Sequence, residues 1–345
     1  MKFRFNRKNL LVILCLLYLI SFLSIVFLNQ IVKNNFKLFE TSHRINVPVN
    51  IKLLFQKELK FKPEQIQTDG NNLFVLALPN NEVVIYDSNA NKVDSQINKV
   101  DTAVKSQHII NFYASNDTVD IIDSKNLLVK SFNYQNKLKR QIKLKNKILR
   151  AFFFSHNKVI IETLGRWDKE KHFSIFKLID LKQNITKDLS GIIPVADYNG
   201  LIYDGFFIPN RHGAFYINYY YNSIISLDSL GSIRYKVHTI DDLPLPTVKI
   251  SDLGWATYSG DVNLANFSAT TDQSFLYILS NTQQKISANL FGYYVDRYDL
   301  KNGTYRGSFL LPQIDSTNPG KICFFKNNLY ILYKNKLVCY QIKFI

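Results

Sequence analysis

Residues 214–238 read AFYINYYYNSIISLDSLGSIRYKVH. An aromatic and apolar run, AFYINYY (214–220), is followed by SIISLD (223–228), by the turn residues SLGS, and then by IRYKVHTI. β-Branched and aromatic residues at this density, broken by Asn, Asp, Gly and Ser, specify strands joined by short turns. GFFIP (205–209) precedes the set and supplies one more strand. The stretch is therefore one unit of four strands.

The unit recurs. The run AFYINYY has counterparts in LFVLAL (73–78), IINFYA (109–114), KVIIET (158–163), SFLYILS (274–280) and NLYILY (328–333). SIISLD has counterparts in EVVIYD (82–87), TVDIID (118–123), FSIFKLID (173–180), YYVDRYD (293–299) and KLVCYQ (336–341). Five of these six end in Asp, at Asp87, Asp123, Asp180, Asp228 and Asp299, and the sixth carries Gln341. A turn follows each Asp, whose carboxylate can accept backbone N–H bonds from residues two or so further on. GFFIP is matched by QIQT (65–68), RAFFF (150–154), FSAT (267–270) and ICFF (322–325), with a weaker equivalent near 102–107.

Six such units of roughly 40–50 residues fit the period of a propeller blade. The last unit stops at Ile345 after three strands, and IKLLFQKELK (51–60) can complete it. Closure of this kind leaves no open sheet edge. A seventh blade within residues 240–266 is the alternative.

The units that carry IYDSNANK, IIDSKN, SLDSLGS and RYDLKNG make residues 51–345 resemble the six-bladed β-propellers of the NHL and TolB-like kind. The resemblance implies an all-β ring. It leaves the activity open, because propellers host both binding modules and enzymes of lactonase, lyase or hydrolase type.

Residues 9–32 contain no charged residue and include LLVILCLLYLISFLSIVFL. As a helix they would span about 36 Å, more than the ~30 Å of a bilayer core. Lys2, Arg4, Arg7 and Lys8 precede them and predict a cytoplasmic N-terminus. The apolar run is longer than a signal-peptide core and no small-x-small site follows, so it reads as an uncleaved anchor. The expected organisation is a basic tail (1–8), a transmembrane helix (9–32), a linker (33–50) and an extracytoplasmic propeller (51–345).

The 345 residues carry 43 Lys+Arg against 27 Asp+Glu, a net charge of +16. Nine basic residues and no acid fall between Ser124 and Arg150, with Lys137, Lys139, Lys143, Lys145 and Lys147 in alternation with apolar positions. That pattern is a strand with a wet basic face, suited to anionic headgroups. It lacks the interleaved aromatics of a nucleic-acid surface, so no nucleic-acid partner is expected. Three cysteines exclude a disulfide-framed scaffold. Cys323 and Cys339 fall on strands separated by NLYILY, about 9–10 Å apart, too far for a bridge.

In a four-stranded blade, the second-to-third and inter-blade connections share one face. Here that face has the long segments: GRWDKEKH (165–172), GIIPVADYNG (191–200), NTQQKISANL (281–290) and about 239–264. Long loops in a compact repeat are where binding residues gather. Trp167, Asp168, His172 and Trp255 are the candidate ligand-binding residues, the tryptophans having core packing as their alternative role. His43, His108, His156, His172, His212 and His238 are scattered without metal-ligand spacing, and no metal or cofactor is expected. These features predict a membrane-tethered module that binds a protein, peptide or polysaccharide. The alternatives are a propeller enzyme, or a sensor or accessory subunit of an envelope redox or transport system.

Overall fold

The computed structural model describes residues 17–26, 44–78, 82–97, 109–115, 117–123, 126–144, 148–166, 172–194, 199–241, 243, 245–250, 256–259, 262, 264–287 and 290–345. They fall into two units, 1–42 and 43–345. In the first, residues 17–26 form a helix with every residue exposed. Among the described residues no helix is long and apolar enough to cross a membrane, and the remainder of the apolar run 9–32 lies outside them.

The second unit begins with β1 (Val49–Glu58) and continues through six four-stranded sheets. The first blade is β2 (Lys62–Thr68), β3 (Leu73–Leu78), β4 (Glu82–Tyr86) and β5 (Lys92–Ile97). The second is β6 (Ile109–Ser115), β7 (Thr118–Asp123), β8 (Leu128–Asn133) and β9 (Leu138–Lys143). The third is β10 (Arg150–Ser155), β11 (Lys158–Arg166), β12 (His172–Asp180) and β13 (Ile185–Asp188). The fourth is β14 (Gly205–Asn210), β15 (Gly213–Asn218), β16 (Ser223–Asp228) and β17 (Ile233–His238). A two-stranded hairpin, β18 (Thr247–Ile250) with β19 (Ala256–Ser259), stands where a seventh blade was the alternative. The fifth blade is β20 (Asn266–Thr271), β21 (Phe275–Ser287), β22 (Leu290–Asp299) and β23 (Tyr305–Pro312). The sixth is β24 (Ile322–Phe325), β25 (Asn328–Tyr333) and β26 (Lys336–Phe344), with β1 antiparallel to β26 from Val49↔Phe344 to Glu58↔Lys336.

The core lies between blades. Tyr330 and Leu332 of β25 pack with Leu73 and Val75 of the first blade. Their sequence neighbours Leu329 and Ile331 pack with Val295 and Leu311 of the fifth. Alternate side chains of one strand thus meet opposite neighbours. A strand covered on both faces reads as a continuous apolar run, which is why NLYILY shows no polar alternation. Each buried Leu, Ile or Phe in these layers contributes about 1.5–3 kcal/mol.

The third-to-fourth turns show why Asp recurs. Asp228 Oδ1 accepts bonds from the N–H groups of Leu230 and Ser232 at 2.9 and 2.8 Å. Asp87 does so from Asn89 and Asn91, Asp180 from Lys182 and Gln183, and Asp299 from Lys301. Asp123 differs. It ends β7, the second strand of its blade, and caps the turn into β8 through Asn126 N–H at 3.1 Å. The sequence-based register of this blade is therefore corrected by one strand. IINFYA is innermost and the basic run 138–143 is outermost, while 101–108 lies outside the described residues. Asn133 fills the turn position that Asp holds elsewhere, accepting from Lys137 N–H at 2.8 Å. Gln341 lies within β26, opposite Lys52 of β1, and is not at a turn.

On β9, Lys139, Gln141 and Lys143 are exposed and Arg140 and Ile142 half-buried, while Lys145 and Lys147 lie outside the described residues. Charged lysines on an outermost strand also discourage pairing with another chain.

The segment before β1 is stitched onto the fifth blade. Val47 N–H donates to Ser308 O at 2.9 Å, and Ser308 N–H to Ile45 O at 2.8 Å. Gly307 permits this approach, since a Cβ there would stand 2.2 Å from Val47 Cγ2. Arg44 reaches inward. Its guanidinium bonds both oxygens of Asp296 at 3.0 Å, Asp241 at 2.7 Å and Ser280 at 3.1 Å, over the ring of Tyr294. The three charged side chains are 4, 6 and 1 % exposed for Arg44, Asp241 and Asp296. Burial alone would lower the Arg44 pKa, but Asp296 and Asp241 outweigh it and raise it.

Removing Arg44 leaves two buried carboxylates without their counter-ion. Arg44→Ala should cost about 3 kcal/mol in a urea titration. An Arg44→Met chain that also carries Asp241→Asn and Asp296→Asn should recover most of that loss, because no bare charge remains.

Cys323 and Cys339 both oppose Tyr330, on either side of β25, and both are free and buried. Burial pushes their thiols up to about 12 and about 11. Thiol titration of the folded protein at pH 8 should leave both unreacted, and denaturant should release two further equivalents.

Candidate functional site

The six innermost strands, β2, β6, β10, β14, β20 and β24, surround a cavity of about 550 Å³. Its wall is asymmetric. Tyr113, Phe152, Phe206 and Tyr219 line it on the second to fourth blades. Gln65 and Gln67 of the first blade, Ser268 and Thr270 of the fifth and Lys321 of the sixth line the opposite side. The two hydroxyls also stitch blades together: Ser268 Oγ accepts from Ile322 N–H at 3.1 Å, and Thr270 Oγ1 from Phe324 N–H at 3.0 Å.

Each innermost strand starts at the face that carries the inter-blade connections. Basic residues stand at the start of three of them, Lys62 of β2, Arg150 of β10 and Lys321 just before β24, and of these Arg150 and Lys321 line the cavity. Their surroundings differ. Arg150 Nε donates to Glu162 Oε2 at 2.5 Å across the β10–β11 pair, and Nη1 donates to Asp204 and, at 3.3 Å, to Gly205 O. The third and fourth blades are thereby clamped at the channel rim. Burial works against the charged guanidinium, but Glu162 and Asp204 raise its pKa overall. The Asp204 carboxyl is itself held above the ordinary carboxylate value by burial, with Arg150 opposing and Glu162 adding to the rise. A second cavity of about 360 Å³ lies behind the clamp, against Leu149, Leu164, Phe173 and Leu201.

Lys321 Nζ donates to Phe267 O at 3.3 Å and stands 6.0 Å from the centre of the Phe206 ring. Among the described residues no carboxylate forms an ion pair with it. Glu64 is near enough to favour its charge, yet burial outweighs that and lowers its pKa. Glu64 itself is exposed and 3.9 Å from Lys62.

The face of the inter-blade connections is built up. β21 and β22 continue as a ladder to Ser287↔Leu290, so the expected loop 281–290 is largely a hairpin. The β18–β19 hairpin is tied down by Tyr258 Oη, which donates to Leu201 O of a short helix (Asn199–Ile202) at 2.8 Å. Of the sequence-based candidates, His172 opens β12 opposite Arg166, at the tip of another extended hairpin. Trp167, Asp168 and Trp255 lie outside the described residues.

On the opposite face, His156 Nδ1 stands 2.6 Å from Asp120 Oδ2. Asp120 is fully buried and also accepts from Ser131. Burial raises the Asp120 carboxyl, against the pull of Ser131, His156 and Arg140. This cluster joins the second and third blades. Among the described residues, no three His, Cys, Asp or Glu side chains are placed to hold a metal ion.

The chain is similar in structure to a member of the DUF4221 family from Bacteroides vulgatus, with a TM-score of 0.55 and 13% identity over 87% of this chain and 100% of that one. It is also similar to a putative exported protein from Bacteroides fragilis, with a TM-score of 0.54 and 10% identity over 88% of this chain and 98% of the other. Virginiamycin B lyase from Staphylococcus aureus is more distant, at a TM-score of 0.48 and 10% identity over 85% and 99% of the two chains. Likeness at this identity shows the propeller fold alone. No family model matches the sequence, and no curated protein is similar to it.

The Arg150 clamp makes a pH-dependent prediction. Arg150→Met leaves Glu162 and Asp204 facing each other and raises the Asp204 carboxyl further. The folded state then binds more protons than the unfolded state, so stability falls as pH rises. The variant should lose about 3 kcal/mol near pH 8 and progressively less toward pH 5, measured by thermal melts across that range.

Proposed function

We propose that the chain is a membrane-tethered, extracytoplasmic six-bladed propeller of the NHL or TolB-like kind that binds a protein, peptide or polysaccharide on its built-up face. The observation that carries this reading is the one-sided elaboration of the ring. The extended β21–β22 and β11–β12 hairpins, the β18–β19 hairpin and the 199–202 helix all rise on the face of the inter-blade connections. The opposite face has tight turns such as Asp228–Ser232, and the chain enters β1 there, beside Phe344. Trp167, Asp168, His172 and Trp255 are the residues proposed to contact the partner.

The uncharged run 9–32 supports the tether, and similarity to the putative exported protein of Bacteroides fragilis agrees with an extracytoplasmic site. The test is fractionation combined with protease access. Carbonate-washed membranes should retain the full chain, and protease added outside the membrane should reach the propeller. Protein that starts near residue 35 and is released from membranes would reverse the assignment. Substituting Trp167 and Trp255 together by Ala should abolish partner capture by cross-linking while leaving the melting temperature within about 2 °C.

A further inference from the structure

We propose that the central channel binds a small aromatic carboxylate, with its carboxylate on Lys321 and its ring against Phe206 and Phe152. This site is distinct from the docking face, and either can exist without the other.

Lys321 is a cation without an ion pair among the described residues. It is half-buried in the channel wall, and its described hydrogen bond is a 3.3 Å contact to Phe267 O. An ammonium has three donors. A partly desolvated ammonium with no ion pair among the described residues and donors to spare is open to an anionic ligand. The contrast with Arg150 is direct. At the same position of another innermost strand, that residue is satisfied by Glu162 and Asp204. Lys321 has no equivalent among the described residues, so the channel offers an anion site that the protein itself does not fill.

The remaining wall sets the chemistry of the anion. Tyr113, Phe152, Phe206 and Tyr219 give the second to fourth blades an aromatic stretch of wall, beside Asn111, Arg150, Asn210 and Arg211, and the cavity of about 550 Å³ falls in the size range of small-molecule sites. Ser268 and Thr270 use their oxygens as acceptors from the sixth blade; the Thr270 hydroxyl is also bonded to the Cys323 sulfur, which leaves the Ser268 hydroxyl hydrogen to donate. The Lys321 ammonium and the Ser268 hydroxyl, both in the channel wall, supply donors suited to a single carboxylate. Glu64 lies near the same ammonium and disfavours a dianion such as phosphate.

The test uses the full chain in detergent and three probes, benzoate, 4-hydroxybenzoate and naphthalene-2-carboxylate, titrated by calorimetry. At least one should bind saturably with one equivalent per chain. Its amide should bind about tenfold more weakly or worse, as should the carboxylate to Lys321→Met. Glu64→Gln should bind the carboxylate more tightly. A second measurement guards against a folding defect. If Lys321 serves a ligand, the ligand-free Lys321→Met chain should melt no lower than the parent, because a partly desolvated charge without an ion pair has been removed. The proposal is overturned if no probe binds at about 10 mM. It is equally overturned if the amide or inorganic phosphate binds as well as the acid, if Lys321→Met binds unchanged, or if that variant melts well below the parent.

Discussion

The antiparallel pairing of β1 with β26 is the constraint on which the ring depends. It joins residues from opposite ends of the sequence, and it supplies the outermost strand of the sixth blade. Without it, β26 would present a row of unpaired N–H and C=O groups along a strand rich in Val, Tyr and Ile. Arg44 adds a second tie just upstream. Its ion cluster binds the segment before β1 to the connection after the fourth blade and to the third strand of the fifth. One short segment therefore secures the fourth, fifth and sixth blades together, and the inter-blade cores follow from that geometry.

The same ring geometry makes the channel. Six innermost strands start at one face, so whatever occupies their first positions meets at one rim. Arg150 and Lys321 are placed there by identical backbone logic and differ only in what stands opposite. For Arg150, a cross-strand Glu and an Asp from the next blade turn the position into a structural clamp. For Lys321, the neighbouring innermost strand offers a backbone carbonyl and hydroxyls. A cation that the fold has satisfied and one that it has not are thus held at equivalent points of one wall.

Much of the fold was legible in the sequence, because strands buried on both faces and turns capped by Asp leave strong local marks. LFVLAL, SIISLD and NLYILY announce themselves, and the six four-stranded sheets follow. The second blade misled because two different turns carry the same chemistry. Asp123 caps a turn as Asp228 does, but one strand earlier in its blade, and Asn133 took the usual place unnoticed. The extended β21–β22 hairpin was hidden because NTQQKISANL is polar, as a strand pair projecting into solvent is. The channel was harder still. RAFFF and KICFF show a basic residue before an apolar run, which is a visible signal. That one of them has two carboxylate partners depends on Glu162 and Asp204, brought together only by cross-strand register and the neighbouring blade.

The closing strand is among the first parts of the propeller to be synthesised, and its partner is the last. At 5–20 residues per second, roughly 15–60 s separate the appearance of β1 from that of β26. Through that interval β1 has no sheet to join, and it carries Leu53 and Leu54, which stay exposed even in the finished ring. A nascent chain, or one cut short by a premature stop, holds five potential blades and an unmatched sticky ribbon. Until β26 is made, the outermost place in the sixth blade cannot be filled, and β1 keeps the unpaired edge that the finished sheet removes.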